Sequence, residues 1–302
     1  MERICFTFFI LLIYNYTKGG LKMKKLTSVL IICLILTSSI GFLSCINIEL
    51  TVDKIINSAI KNAQTIKNYD LVMDMVFGLS AKGQSIEVTS NTTGTAFMDP
   101  QRMKLDMKMN MLGQEQDVQI YAEEIDKNIE MYTYVNGSWQ KTEFSSGDMN
   151  SLNQYDMKKS ASLYLENAKN FTQVGIEKVN DKAAYKMEGT MDGASLAKVF
   201  ASIDYLDSLS SLGVDSSMFG EIFKDMDDMK VTIWIDKGNL YPVKFDMDMS
   251  AVLAKIMDII KNNLSSSGDV NMDFSVEKFS VISTISNINT ASNFDIPPEA
   301  KI

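Results

Sequence analysis

Ser195-Leu196-Ala197-Lys198 has the S-x-x-K spacing, in which a lysine one helical turn away can activate a serine hydroxyl as a nucleophile. The match is only four residues long, no Ser-Asp-Asn or Lys-Thr-Gly motif accompanies it, and the span reads as an ordinary helix start. Asp225, Asp227 and Asp228 gather carboxylates but lack the spacing of a calcium-binding loop, so a solvated helix-to-strand turn accounts for them. Histidine is absent from the whole chain. Its absence removes the commonest general base, the usual triads and most zinc or copper sites. Thioether sulfur can hold copper(I), and the chain has 21 methionines. They follow strand periodicity, however, so packing explains them first. The sequence therefore points to no catalytic residue, no metal and no cofactor, and the expectation is a chain that is not an enzyme.

Cys45 has a more specific context. Lys24-Lys25 follow Met23, residues 26–40 are apolar, and Gly41-Phe42-Leu43-Ser44 lead into the cysteine. A basic start, an apolar stretch and small residues at its end form a secretory signal. Small residues before a cysteine resemble the lipobox of bacterial lipoproteins, although Phe42 stands where leucine is usual. That resemblance implies a diacylglyceryl group on the Cys45 thiol, cleavage just before it, and anchorage on the outer face of the cell membrane. Two acyl chains hold a protein stably, whereas one does so only marginally. An uncleaved apolar anchor is the alternative. Residues 1–22 are expected to be untranslated upstream sequence, because Lys18-Gly19-Gly20 can be encoded as a ribosome-binding sequence a few codons before Met23. A long basic leader or two membrane helices are the alternatives, but the first apolar run, 5–14, is short of the roughly 20 residues a span needs.

The net charge is −9, and the leader removes five cations with a single acid, so the mature chain is more acidic still. Such acidity excludes nucleic acid as a partner and electrostatic adhesion to anionic lipid heads. Cys5 and Cys33 leave with the leader, so no disulfide forms within the mature chain and its core must stabilise it.

Residues 45–51 form a short tether, roughly 20 Å when extended, which keeps the folded part near the bilayer. Thr51 is placed to cap a helix in which Val52, Ile55, Ile56, Ala59, Ile60, Ala63 and Ile66 recur on one face. Alternation of period two follows. Leu71, Met73, Met75 and Phe77 oppose Asp70 and Asp74, and Met103 to Met111 alternate with Lys104, Asp106, Lys108 and Asn110. Residues 86–98, 118–124 and 127–135 read as further strands. Turns fall at Asp99-Pro100, at Gly113-Gln114 and at Asn136-Gly137, which leads to Trp139 and Phe144. Helices are expected over 153–169, 196–212 and 217–225, with Gly213 as a joint, and over 252–264. A hairpin is expected around Asn180-Asp181, with strands at 230–236, 240–250 and 270–288; Ser265 to Gly268 read as a flexible joint and Pro297-Pro298 as the end of the fold. These elements make 52–302 one α+β domain, a large curved antiparallel sheet with helices packed on it. Two sheet halves joined by the helical middle are the alternative.

Met73, Met75, Phe77, Met107, Met109, Met111, Met247 and Met249 are the candidates for lining a cavity. Methionine is flexible and polarisable, so it suits an adaptable apolar surface better than a tight core. One reading is a plastic cavity for acyl chains of variable shape. The other is an ordinary sheet core rich in methionine.

Several segments taken together carry a resemblance: the lipobox, the helix ending in Ile66-Lys67-Asn68-Tyr69, and the methionine-alternating strands. Tyr132-Thr133-Tyr134-Val135-Asn136-Gly137-Ser138-Trp139, Ile233-Trp234-Ile235-Asp236, Tyr241-Pro242-Val243 and Ile296-Pro297-Pro298-Glu299-Ala300 add to it. Together they resemble an uncharacterised family of low-GC Gram-positive lipoproteins, similar in fold to the lipoprotein carrier LolA and the mycobacterial lipoproteins LppX and LprG. The resemblance spans 45–302. It implies a half-barrel with helices on its concave side and an apolar cavity that holds acyl chains, and it brings no catalytic residue. The expected function is a surface-anchored lipoprotein that binds or carries lipid or another apolar ligand. The alternative is a ligand-free sensor or interaction module with an envelope protein partner.

Overall fold

In the computed structural model, which describes residues 50–81, 83–126, 128–144, 157–202, 218–266 and 274–301, the alternating stretches become eleven strands of a single antiparallel sheet. Thr51–Ile302 forms one compact unit. The leader, Cys45, the tether up to residue 49, the Gly213 joint and the Ser267-Gly268 part of the second joint lie outside the described residues.

The strands are β1 (Asn68–Ala81), β2 (Gln84–Met98), β3 (Gln101–Met111), β4 (Gln114–Ile125), β5 (Asn128–Val135), β6 (Ser138–Phe144), β7 (Lys169–Val179), β8 (Lys182–Met191), β9 (Met229–Asp236), β10 (Pro242–Asp248) and β11 (Phe274–Ser286). Their order across the sheet is β6-β5-β4-β3-β2-β1-β11-β10-β9-β8-β7. The chain thus starts in the middle, walks outward strand by strand to one edge, crosses to the other edge and walks back, so that β11 closes against β1. The two halves expected as an alternative are one continuous sheet, joined by the β1–β11 ladder from Asp70↔Ser286 to Ala81↔Phe274. Edges remain at β6 and β7, which leaves the half-barrel open.

Hairpin chemistry sets the registers. Asn136-Gly137 and Asn180-Asp181 both take positive φ, as a two-residue primed turn requires. The β3–β4 turn sits one residue earlier than Gly113-Gln114. Met111 pairs with Gln114, so Leu112 (φ 53°) and Gly113 (φ 79°) form the loop.

Five helices are described: α1 (Val52–Ala63), α2 (Met157–Asn167), α3 (Gly193–Ser202), α4 (Phe219–Phe223) and α5 (Ser250–Ser266). α1 begins where expected, but the Thr51 hydroxyl makes no cap bond; the Thr51 carbonyl accepts the Ile55 N–H at 3.0 Å instead. It also ends at Ala63, three residues before Ile66, because Thr65 turns back to the Asn62 carbonyl through both N–H (2.8 Å) and hydroxyl (2.7 Å). Each helix packs on the next, and α5 lies along β11. Tyr164 of α2 meets Phe245 of β10 with ring centres 6.2 Å apart, which places the helices on the Leu71–Phe245 side of the sheet. That side holds the tightest core: Leu71, Leu105, Met187, Ile233, Ile235, Phe245 and Ile285 are all buried. Among the described residues no helix is long and apolar enough to cross a membrane.

The outer face is largely polar, except where the C-terminal segment covers it and where Trp234 packs with Val179, Ala184 and Val243. Residues 287–301 run back over β2–β5 and bury Ile296 and Ala300 against Tyr121 and Tyr132. Arg102 fastens this strap, donating to Asn293 Oδ1 (2.8 Å) and the Phe294 carbonyl (2.7 Å) while its guanidinium lies 4.7 Å from the Phe294 ring centre. Pro297-Pro298 therefore do not simply end the fold; they lie within a strap that completes a second small core.

Candidate functional site

Residues paired across an antiparallel ladder share a face. Met73 of β1 pairs with Thr92 of β2, and Thr92 with Met107 of β3; Met75 pairs with Ser90, and Ser90 with Met109; Phe77 pairs with Val88, and Val88 with Met111. On the other side, Met75 pairs with Val281 and Val281 with Met247 of β10. Seven of the eight candidates therefore share the helix-bearing face. Met249 leaves the pattern. The strand ends at Asp248, and Met249 starts α5, its carbonyl accepting the Leu253 N–H at 2.9 Å.

Exposure along this face is graded. At one end Tyr69, Leu71, Met103 and Leu105 are buried; further along, Met73, Met75, Phe77, Met107 and Met109 are half-buried. At the hairpin end Met111 is 52% exposed and Leu112 67%. Met247, under the helices, is buried. The stripes are thus solid core in the β10 half and a partly open apolar wall in the β1–β3 half.

Three hydroxyls interrupt that wall. Ser90, Thr92 and Ser283 are buried on the same face, with Ser283 paired to Met73. The sequence pattern missed those on β2 because its middle reads Ser90-Asn91-Thr92-Thr93-Gly94 and has no apolar phase of its own; Ile86, Val88 and Ala96, which share their parity, are the signal that points Ser90 and Thr92 inward. At Gly94 an added Cβ would lie 2.3 Å from the Lys104 carbonyl and 2.5 Å from Leu105 Cδ2, so the Leu105 side chain occupies the space over the glycine.

Charges are held on the opposite face. Asn91 donates to Asp74 (2.6 Å), Thr95 to Asp70 (2.7 Å), and Lys104 pairs with Asp106 (3.1 Å). Two open concavities of about 460 and 480 Å³ are lined mainly by this polar side, including Asn91, Asp106, Lys108 and Asp117. Near the strap, burial and the Glu130 carboxylate push the Tyr132 phenol above its ordinary range, while Tyr132 and Lys141 hold Glu130 below its own.

The residues with S-x-x-K spacing lie in the first two turns of α3. Ser195 is buried and its N–H donates to Asp192 Oδ1 at 2.8 Å, whereas Lys198 is exposed. Asp192 is the cap, and Lys169 (2.7 Å) and Ser195 hold its carboxyl far below the usual range. Asp225, Asp227 and Asp228 are exposed in the turn after α4. Among the described residues no group of three or more Asp, Glu, His or Cys is placed to hold a metal ion.

Comparison with solved structures gives matches at low identity. Lipoprotein LppX of Mycobacterium tuberculosis is 12% identical, with 81% of this chain and 100% of that chain covered and a TM-score of 0.42. LprF of Mycobacterium bovis is 12% identical, with 80% and 95% covered and a TM-score of 0.41. A putative outer membrane lipoprotein-sorting protein domain of Vibrio parahaemolyticus is 10% identical, with 80% and 92% covered and a TM-score of 0.22. No curated protein matches the sequence. One family model, described as a family of unknown function (DUF6612), matches residues 51–302.

Proposed function

We propose that this chain, which belongs to the family of unknown function DUF6612, holds a lipid acyl chain or similar apolar ligand along the methionine face of its sheet, as a non-enzymatic lipoprotein anchored through Cys45 to the outer face of the cell membrane. One observation carries the reading. Met73, Met75, Phe77, Met107 and Met109 sit in register on the helix-bearing face yet stay half-buried, where their counterparts one or two registers away are sealed. Covering apolar surface gains about 25 cal/mol per Å², so a hydrocarbon chain laid there is stabilised without any polar contact. Thioether side chains can reshape around it.

The compact unit, Thr51–Ile302, purified from cells and extracted with organic solvent, is expected to release lipid, and the emptied protein to take up a fluorescent fatty acyl ester saturably. Met107→Lys is expected to abolish uptake while circular dichroism stays native. No released lipid together with no saturable uptake would overturn the reading. The anchor is tested separately: Cys45→Ser is expected to lose palmitate labelling and leave the membrane fraction.

The exposed Met111-Leu112 tip supports a second reading, an apolar contact for an envelope protein partner. A photo-crosslinking residue at position 112 separates the two, since a carrier gives lipid adducts and an interaction module a discrete protein adduct.

A further inference from the structure

Among the described residues, the Thr92 hydroxyl is the buried side-chain oxygen with no hydrogen-bond partner. Thr92 is fully buried (0% exposed), and its register neighbours on either side are Met73 and Met107. Buried hydroxyls are ordinarily satisfied, and one left without a partner is costly. Here the exception falls in the middle of the methionine wall, with Ser90 two residues along the same strand and Ser283 on the far side of Met73 as further hydroxyls.

We infer that the ligand of this face carries a neutral carbonyl oxygen, as in an esterified acyl chain, and that the Thr92 hydroxyl donates a hydrogen bond to it. The inference rests on the apolar-ligand reading and narrows it. Strand parity argues against a carboxylate as the partner. Lys104 and Lys108 lie on the opposite face with Asp74 and Asp106, so the same-face residues at and beside the Thr92 register on β1 to β3, among them Met73, Met75, Ser90, Leu105 and Met107, are uncharged. A carboxylate buried there would find no cation on those strands and would pay a large desolvation penalty, whereas an ester carbonyl needs a single donor. The two flanking side chains are half-buried methionines, and on this reading their rotation gives the ligand access to the hydroxyl.

The test uses the purified, delipidated protein and two competitors of a bound fluorescent dye: methyl decanoate, and an alkane with the same number of heavy atoms. Thr92→Val keeps the side-chain shape and removes the donor. It is expected to lower the ester-to-alkane affinity ratio about 3- to 10-fold, the equivalent of one neutral hydrogen bond. Thr92→Ser, which retains the hydroxyl, is expected to restore the ratio. An unchanged ratio in Thr92→Val overturns the inference but leaves the apolar-ligand reading standing. Failure of both competitors to displace the dye from the wild type overturns that reading, and the inference with it.

Discussion

Two threonines three residues apart on β2 should respond with opposite sign to the same substitution. Thr92 is fully buried on the methionine face and its hydroxyl has no partner. Thr95 lies on the other face and donates to Asp70 at 2.7 Å. Replacing threonine by valine exchanges a hydroxyl for a methyl of similar shape, so packing and strand propensity change little. At Thr92 the substitution removes an unsatisfied buried group, whose penalty is about 1–3 kcal/mol. The delipidated Thr92→Val protein should therefore be more stable by about that amount. At roughly 2–4 °C per kcal/mol for a domain of this size, its Tm rises by about 2–12 °C. Thr95→Val loses a bond to a carboxylate that keeps its second partner, Asn287 at 2.7 Å, so a loss of about 1 kcal/mol is expected. Urea unfolding followed by circular dichroism measures both, with equal m-values as the check that only stability has changed. A neutral or destabilised Thr92→Val would refute the reasoning. The hydroxyl would then have a partner in solution, and the case for a ligand carbonyl beside it would fall.

Gly94→Ala forces a Cβ to within 2.3 Å of the Lys104 carbonyl; because backbone must yield, a loss of about 1–3 kcal/mol or more is expected in the urea midpoint. Phe294→Ala removes a half-buried ring stacked near Phe97 (6.0 Å) and Tyr121 (6.1 Å). About 2 kcal/mol should be lost, roughly half a fully buried phenylalanine, with limited proteolysis now cutting within 287–301. The Asp192 carboxyl is held below its ordinary pKa by Lys169 and Ser195, so its stabilising contribution is complete above about pH 4 and drains away as pH falls towards the depressed folded value. Wild type should therefore lose stability more steeply than Asp192→Asn below about pH 4, measured by urea titrations across pH, while the lack of histidine leaves pH 5–8 without its usual titrating side chain.

The sheet was legible in sequence wherever one of its faces is apolar and the other charged. Met103 to Met111, alternating with Lys104 to Asn110, is such a strand, and its phase alone fixed which residues turn inward. Helix α1 was legible for the same reason at a different period. What pattern could not supply was long-range order. Nothing local says that β11 returns to pair with β1, or that the segment after β11 folds over Tyr121 and Tyr132, since those contacts join residues more than 150 positions apart. Within the candidate site, methionine positions were readable and hydroxyl positions were not. The middle of β2 is polar on both faces, so Thr92 and Thr93 look alike locally, although one is fully buried and the other exposed; only the parity of Ile86, Val88 and Ala96 at the ends of the strand separates them. Met249 falls outside the strand although alternation continues in the sequence past Asp248, because Asp248 accepts from the Ser250 N–H at 3.0 Å and turns the chain into α5.

The order of side chains along β1 and β3 gives the wall a direction. At the sealed end, Leu105 lies against Gly94 so closely that even a methyl group would not fit between them. Shape there is fixed on both strands, and a ligand gains no room. From Met107 onward every inward residue of β3 is a thioether, and exposure rises to the Met111-Leu112 tip. A stiff floor followed by an adjustable wall is the arrangement expected where one end of a flexible chain must stop and the remainder must fit variably. Aliphatic β-branched residues would have filled the same positions with restricted χ1 angles and little adaptability. From the Leu105 register to the Met111 register is six residues, roughly 20 Å of strand. On the proposed reading that length bounds the hydrocarbon in contact with the sheet. Thr92, opposite Met107 and one register from the floor, would then meet the ligand near its enclosed end. The polar atom of such a ligand enters ahead of most of its chain, which separates a carrier of esters from a simple greasy slot.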